Sequence, residues 1–256
     1  ALQVQIVAGF RSRFRVDVPT ESEVISVDTQ KNTVQVRHGG ETYEESYDKL
    51  VLSPGASPVK PPIPGMEENH VFTLRNIPDT YAIYDFIEEN KPKTCVVVGA
   101  GFIGLEMAEN LSERGLAVTV VEGASHVMPP IDMDMAHQVH NYIRAKGLNL
   151  YLGQTCTAMD KDGVILGNGQ KIPADMVLLS IGVRPDTAFL KDSGIEMGAR
   201  GEILVNEYME TSAADVYALG DAVSTFHVVS GAKVVIPLAS PANKQGRIVG
   251  DNLSGR

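Results

Sequence analysis

One segment constrains this chain more than any other: Val96-Val97-Val98-Gly99-Ala100-Gly101-Phe102-Ile103-Gly104. An apolar strand runs straight into the spacing G-x-G-x-x-G and then into a helical pattern. A second strand, Ala117 to Val121, ends in the acid Glu122, 23 residues after Gly99. Each part suits the binding of a dinucleotide. Gly99 permits the tight strand-to-helix turn. Gly101 lets the backbone approach a pyrophosphate, and Gly104 lets helix and strand pack closely. The helix start, Ile103 included, offers free N–H groups and a partial positive charge to phosphates. Glu122 can accept hydrogen bonds from ribose hydroxyls. The bland alternative is a merely structural glycine turn; strand, motif, helix, strand and terminal acid in that order argue against it.

Composition narrows the rest. The chain of 256 residues has room for one or two domains, and 43% hydrophobic with 21% charged residues describes an ordinary globular protein. A net charge of −10 disfavours nucleic acid as a partner. No apolar run approaches the length of a membrane span, so no membrane association is expected. Two cysteines without an evident partner fit a reducing, cytoplasmic setting. Cys95 lies in the apolar strand and reads as a buried, inert thiol; Cys156 has no Cys, His or Lys close in sequence. His137 and His140 stand at i, i+3 on a helix without a third ligand, which reads as a solvated face rather than a metal site. The first residue is not Met, a hint that this is a piece of a longer chain.

Along the chain, Val24–Asp28 and Thr33–Val36 alternate as short strands, with turns at Asn32 and Gly39-Gly40. A strand before Pro54-Gly55 leads into a proline-rich crossing through Pro58, Pro61, Pro62 and Pro64. A helix is expected from about Asp79 to Glu89. The helix after the glycine motif carries Ile103, Met107 and Leu111 at core spacing. Another begins near Asp132 with Met135, Val139 and Ile143 on one face. Asp162-Gly163 and Asn168-Gly169 predict a small antiparallel excursion. Met176–Ile181 is continuous and apolar, as in a buried parallel strand, and leads into Gly182.

Several ordered signals coincide: Leu52-Ser53-Pro54-Gly55-Ala56, Gly99 to Gly104, Ile181-Gly182-Val183-Arg184-Pro185, and Tyr217-Ala218-Leu219-Gly220-Asp221-Ala222. Together they resemble the pyridine nucleotide–disulfide oxidoreductase superfamily. The stretch Ile236 to Arg247, with Phe72 to Ile77 and Phe102 to Met107, resembles its coenzyme A-disulfide reductases and their polysulfide-reductase and NADH-oxidase relatives. The resemblance covers essentially the whole chain. It implies an α/β fold, a Rossmann-like NAD(P)-binding domain inserted in an incomplete FAD-binding domain. Residues 1–84 and 210–256 would form the FAD part, and residues 85–209 the NAD(P)H part. The family's first FAD glycine motif, its redox cysteine and its C-terminal dimerisation domain are not in this sequence.

The resemblance also implies roles. NADH would sit on Gly99, Gly101, Ile103, Gly104, Glu122 and Gly182. FAD would use Gly55, Ala56, Gly220, Asp221, Leu238 and Ala239, with the helix after Leu238 pointing its N-terminus at the flavin. The lesser alternative for Asp221 is a cap on the turn that follows it. Phe102 resembles the aromatic gate displaced by nicotinamide, or is ordinary packing, and Glu106 resembles a carboxylate near the reacting rings. Arg11 is either a contact to CoA phosphates or part of a charged face with Arg13 and Arg15; Asn243 is a weak candidate on the substrate side. No metal is implied. The implied activity is hydride transfer from NADH to FAD, then to a disulfide, with CoA disulfide or a polysulfide as small-molecule substrate and a homodimer as full-length protein. An NADH oxidase or peroxidase, or a non-redox NAD-binding module, are the rival readings. The 256-residue chain is expected to bind NADH rather than NADPH, to retain no FAD and to lack reductase activity.

Overall fold

In the computed structural model, which describes residues 6–255, the chain opens with helix α1, Val7–Phe14, none of whose residues is buried. Three antiparallel strands follow, β1 (Ser22–Asp28), β2 (Thr33–His38) and β3 (Glu41–Ser46), in the order of the sequence. Val34 and Val36 of β2 turn inward, and β3 is exposed along its length. Short strands β4 (Leu50–Leu52) and β5 (Ala56–Pro58) lead to the first crossing between the two compact units of the chain.

The inner unit holds residues 57–184. It contains β6 (Val71–Phe72), helix α2 (Ile77–Asn90), β7 (Thr94–Val98), α3 (Phe102–Glu113), β8 (Ala117–Glu122), α4 (Met133–Ala145) and β9 (Asn149–Leu152). A three-stranded antiparallel excursion comes next, β10 (Cys156–Asp160), β11 (Gly163–Leu166) and β12 (Lys171–Pro173), and then β13 (Met176–Leu179). A parallel sheet in the order β6-β13-β7-β8-β9 is the core. Its central strands β13, β7 and β8 are apolar but for Thr94, Thr119 and the terminal Glu122, because both faces are covered, by one cluster around Ile83, Leu111 and Ile143 and another around Met159, Val164 and Ile172. α2 starts at a capping box: the Asn76 side chain accepts from the Asp79 N–H and the Asp79 carboxylate accepts from the Asn76 N–H.

The second crossing is β14 (Val183–Pro185). The outer unit then continues with β15 (Ile203–Leu204), β16 (Val216–Ala218), β17 (Val223–His227), β18 (Ala232–Val234) and helix α5 (Ala239–Leu253). β16 pairs in parallel with β4, and β15 pairs in parallel with β17. Val27, Leu52, Ile203, Val216 and Val249 belong to one buried cluster.

The unit boundaries fall at 56/57 and 184/185, not at 84 and 209. Pairing explains the shift. Val71–Phe72 adds to the inner sheet beside β13, and Ile203, Val205 and Met209 pack into the outer core. Two helix faces also differ from the expected ones. α3 buries Gly104, Ala108 and Leu111, while Ile103 is exposed; α4 buries Ala136, His140 and Ile143, while Met135 is 53% exposed. Gly104 has to be small because a Cβ there would meet the Gly99 carbonyl and the Ser180 hydroxyl, while Leu111, His140 and Ile143 fill other buried positions of the two helices.

Candidate functional site

The glycine turn is built by backbone crowding. Gly99 leaves β7 at φ 101°, and its N–H donates to the Val121 carbonyl at 2.8 Å. A Cβ on Gly99 would strike the backbone of Ser180, and one on Gly104 would strike the Gly99 carbonyl and the Ser180 hydroxyl. The Ser180 hydroxyl lies 2.9 Å from the carbonyl of Gly99 and 3.2 Å from that of Val98, with a proton to donate. Gly101 is different: nothing lies within 4 Å of the place its Cβ would take. The fold therefore demands glycine at 99 and 104, whereas open space over Gly101 leaves room for a ligand's phosphates. α3 begins there with no side-chain cap and no acid in its first turn, so its first N–H groups are left for an anion.

Glu122 completes the cradle. One carboxylate oxygen accepts the Ala100 N–H at 2.7 Å, and the other accepts the Ala124 N–H at 2.8 Å. The strand-end acid thus ties the glycine turn to the loop that follows it, with lone pairs to spare for hydroxyl donors. Gly182 lies beyond β13, whose Leu179 pairs with Val98, so it stands at the same carboxyl edge of the sheet; it is exposed at φ 116°. Phe102 is 47% exposed as the first residue of α3, and Glu106 is exposed one turn on, its carbonyl accepting the Asn110 side chain at 2.7 Å.

In the outer unit the paired strands β4 and β16 end side by side. The Leu219 N–H donates to the Leu52 carbonyl at 3.0 Å, and Ser53 Oγ is 3.6 Å from a Cβ placed on Gly220. Gly55 (φ 72°) and Gly220 (φ 82°) make the turns, with Ala56 starting β5. The Gly220 N–H donates to the buried Gln245 side chain of α5 at 2.7 Å. Asp221 is half-buried, and no hydrogen bond or ion pair to its carboxylate exists among the described residues. α5 begins after Leu238 at Ala239, again with no side-chain cap and no acid in the first turn. Asn243 is exposed on that helix. Arg11 is exposed on α1 and pairs with Asp17 at 3.3 Å.

Three residues that hold these sites carry no motif: Ser180, Gln245 and His140. His140 also corrects an expectation. It is 3% exposed, not solvated, and its Nε2 accepts the Val127 N–H at 3.2 Å. Burial pushes its pKa down, as do His137, Arg144 and His126. Cys95 is buried as expected, and burial pushes its thiol up to about 12. The half-buried Cys156 thiol is also raised by burial. No group of three or more metal-ligating side chains occurs among the described residues.

Parallel strands with glycine turns and uncapped helix starts at their carboxyl ends define a dinucleotide-binding α/β protein. The comparison with known families is specific: the chain belongs to the pyridine nucleotide-disulphide oxidoreductase family, whose model matches residues 7–246. An NADH oxidase of Methanocaldococcus jannaschii is 39% identical over 251 residues, covering 96% of this chain and 56% of that protein. A coenzyme A disulfide reductase of Staphylococcus aureus is 34% identical over 248 residues, covering 96% and 56%. Among solved structures, reduced Bacillus anthracis CoADR-RHD superposes with a TM-score of 0.96 at 44% identity, covering 99% of this chain and 46% of that one. An NAD-dependent persulfide reductase from A. fulgidus gives 0.95 at 37% identity, covering 99% and 48%. The chain spans about half the length of the curated relatives it matches.

Proposed function

We propose that the protein is an FAD-dependent NADH oxidoreductase acting on a sulfur–sulfur bond, with CoA disulfide or a related persulfide or polysulfide as substrate. The observation that carries the nucleotide part is the contrast among the three glycines: Gly99 and Gly104 are closed in by the fold, and Gly101 faces open space beside an uncapped helix. The names of the reductase relatives support the sulfur substrate.

The residues fit both cofactors. In the inner unit, Gly101, Ile103 and Gly104 would receive a pyrophosphate, Glu122 the adenosine ribose, and Gly182 the far part of the dinucleotide. Phe102 is available to a nicotinamide face and Glu106 to its surroundings. In the outer unit, the unpartnered Asp221 carboxylate suits a ribitol hydroxyl chain, with Gly55, Ala56 and Gly220 shaping the turns beneath it. The N–H groups that follow Leu238 and Ala239 would favour negative charge on a flavin pyrimidine. When bound, the flavin supplies two-electron chemistry between the nicotinamide and the sulfur compound. Glu122 repels a 2′-phosphate, and Gly123-Ala124-Ser125-His126 offers no Arg to hold one, so NADH is preferred over NADPH. Arg11 and Asn243 are the substrate-side candidates. The working form is a cytoplasmic homodimer; among the described residues no helix is long and apolar enough to cross a membrane.

The M. jannaschii relative's name favours one second reading, an NADH oxidase. Anaerobic assay of the full-length enzyme with NADH separates the two. Thiol release from CoA disulfide or a polysulfide at a rate that accounts for NADH consumed supports the reductase. NADH consumption only when oxygen is admitted, without thiol release, overturns it in favour of the oxidase.

A further inference from the structure

The loop after Glu122 is held by a histidine that the proposed chemistry does not use. Residues 123–132 leave β8, carry Val127 into the interior and enter α4. Val127 is fully buried, and its N–H donates to Nε2 of His140 at 3.2 Å. One residue on, the Met128 N–H donates to the Ala100 carbonyl at 2.9 Å. Met128 sits at φ 53°, a left-handed conformation that a long side chain adopts only where its surroundings impose it. The Ala100 N–H in turn donates to Glu122. A continuous path thus runs from α4 through Val127, Met128 and Ala100 to the carboxylate at the end of β8.

The geometry dictates the state of the ring. A backbone N–H only donates, so Nε2 must carry the lone pair and the ring proton must sit on Nδ1. A protonated ring would present N–H to N–H at Val127. The groups facing His140 oppose that proton as well: His137, whose ring centroid is 5.5 Å away, and Arg144 on its own helix, with His126 on the loop. His126 is itself bonded through Nδ1 to the Val127 carbonyl at 2.8 Å.

We propose that His140 is a positioning residue for the dinucleotide site: its neutral imidazole clamps Val127, and through it keeps the loop after Glu122 in the shape that receives the adenosine ribose. This rests on the reading of the glycine turn as an NADH cradle. Burial holds the folded ring's pKa below the ordinary histidine value of 6.5, so the clamp is in force at neutral pH and is lost only as the pH falls through that lowered folded value. Nucleotide affinity should fall, and the loop should loosen, on the acid side only.

The test titrates NADH into the whole chain by fluorescence between about pH 5 and 8, and separately follows amide hydrogen exchange over residues 123–131 without nucleotide, each rate being divided by the intrinsic chemical exchange rate at the same pH. His140→Gln keeps an acceptor oxygen and cannot be protonated. It is expected to bind within about twofold of wild type at neutral pH, and to abolish both the acid-side loss of affinity and the acid-side gain in exchange. His140→Leu removes the acceptor and is expected to weaken binding about tenfold at every pH, with faster exchange in the loop, as about 1.4 kcal/mol corresponds to a factor of ten. An acid-side loss that persists unchanged in His140→Gln overturns the proposal, as does slow, pH-independent exchange of the loop in wild type. If wild type binds no NADH at neutral pH, the nucleotide reading falls instead, and the exchange comparison alone judges the clamp.

Discussion

Glu122 ends one parallel strand and Asp221 stands just beyond another, yet their carboxylates stand in opposite conditions. Both oxygens of Glu122 are taken by backbone N–H groups of Ala100 and Ala124. Asp221 is half-buried with no partner among the described residues. On the proposed reading the inner unit would hold its cradle assembled before any ligand arrives, and its acid would serve fold and binding together. The outer unit leaves an acid whose burial is offset only when something binds it. Loss of the first should show in stability and in affinity; loss of the second should show in affinity alone.

The largest effect expected is at the glycines of the inner unit. Gly104→Val forces side-chain atoms against the Gly99 carbonyl and should cost more than about 3 kcal/mol, enough to unfold residues 57–184 in a thermal melt. Gly101→Ala should change the melt by less than about 0.5 kcal/mol, because its Cβ enters open space, yet weaken NADH at least about tenfold. Equal melting of the two variants would erase the distinction between packing glycine and binding glycine.

Next in size is Glu122→Ala. Two N–H groups lose their acceptor, so stability should fall by about 1–3 kcal/mol, and discrimination against NADPH should fall with it. An unchanged chemical-denaturation midpoint would mean that the turn holds itself. Asp221→Ala should act the other way. In the complete flavoprotein it should cost about 1–3 kcal/mol of flavin affinity, read from flavin absorbance after dialysis, and leave the melt of the flavin-free protein unchanged. Full flavin occupancy in that variant would contradict its role.

The smallest effect concerns an acid that only ties strands. Asp175 accepts from the N–H groups of Lys93 and Thr94 and from the Thr94 hydroxyl, and these bonds hold its pKa below 3.8. Its folded value is depressed, so its contribution is present above 3.8 and lost as the pH falls through the folded value. Asp175→Ala should be slightly less stable than wild type at neutral pH, and the two denaturation curves should converge in strong acid. A gap that widens on acidification would reverse the sign.

The inner unit was far more legible in the sequence than the outer one, for physical reasons. Gly99, Gly104 and the run Met176–Leu179 answer to backbone crowding and to burial on both faces, and such demands leave few residue choices. The antiparallel excursion announced itself in Asp162-Gly163 and Asn168-Gly169, whose glycines turn the chain at φ 142° and 82°. The helix faces did not. Large apolar residues such as Ile103 and Met135 suggested the core, but half of the buried positions are taken by Gly104, Ala108 and Ala136, which carry little hydrophobic signal. His140, Ser180 and Gln245 act through side-chain hydrogen bonds to backbone groups 13 or more residues away in sequence, and no spacing rule marks such residues. The unit boundaries moved because Val71–Phe72, a strand of two residues, and Ile203–Leu204, another, are too short to show a period.

On the proposed reading the turn at Gly99–Gly104, closed by Glu122, is a preformed cradle for NADH. Calorimetric titration of the 256-residue chain with NADH and then with NADPH should show saturable binding of one NADH per chain and NADPH weaker by at least about tenfold, a gap of about 1.4 kcal/mol. Absence of NADH binding at neutral pH, or NADPH binding as tightly as NADH, would contradict that reading.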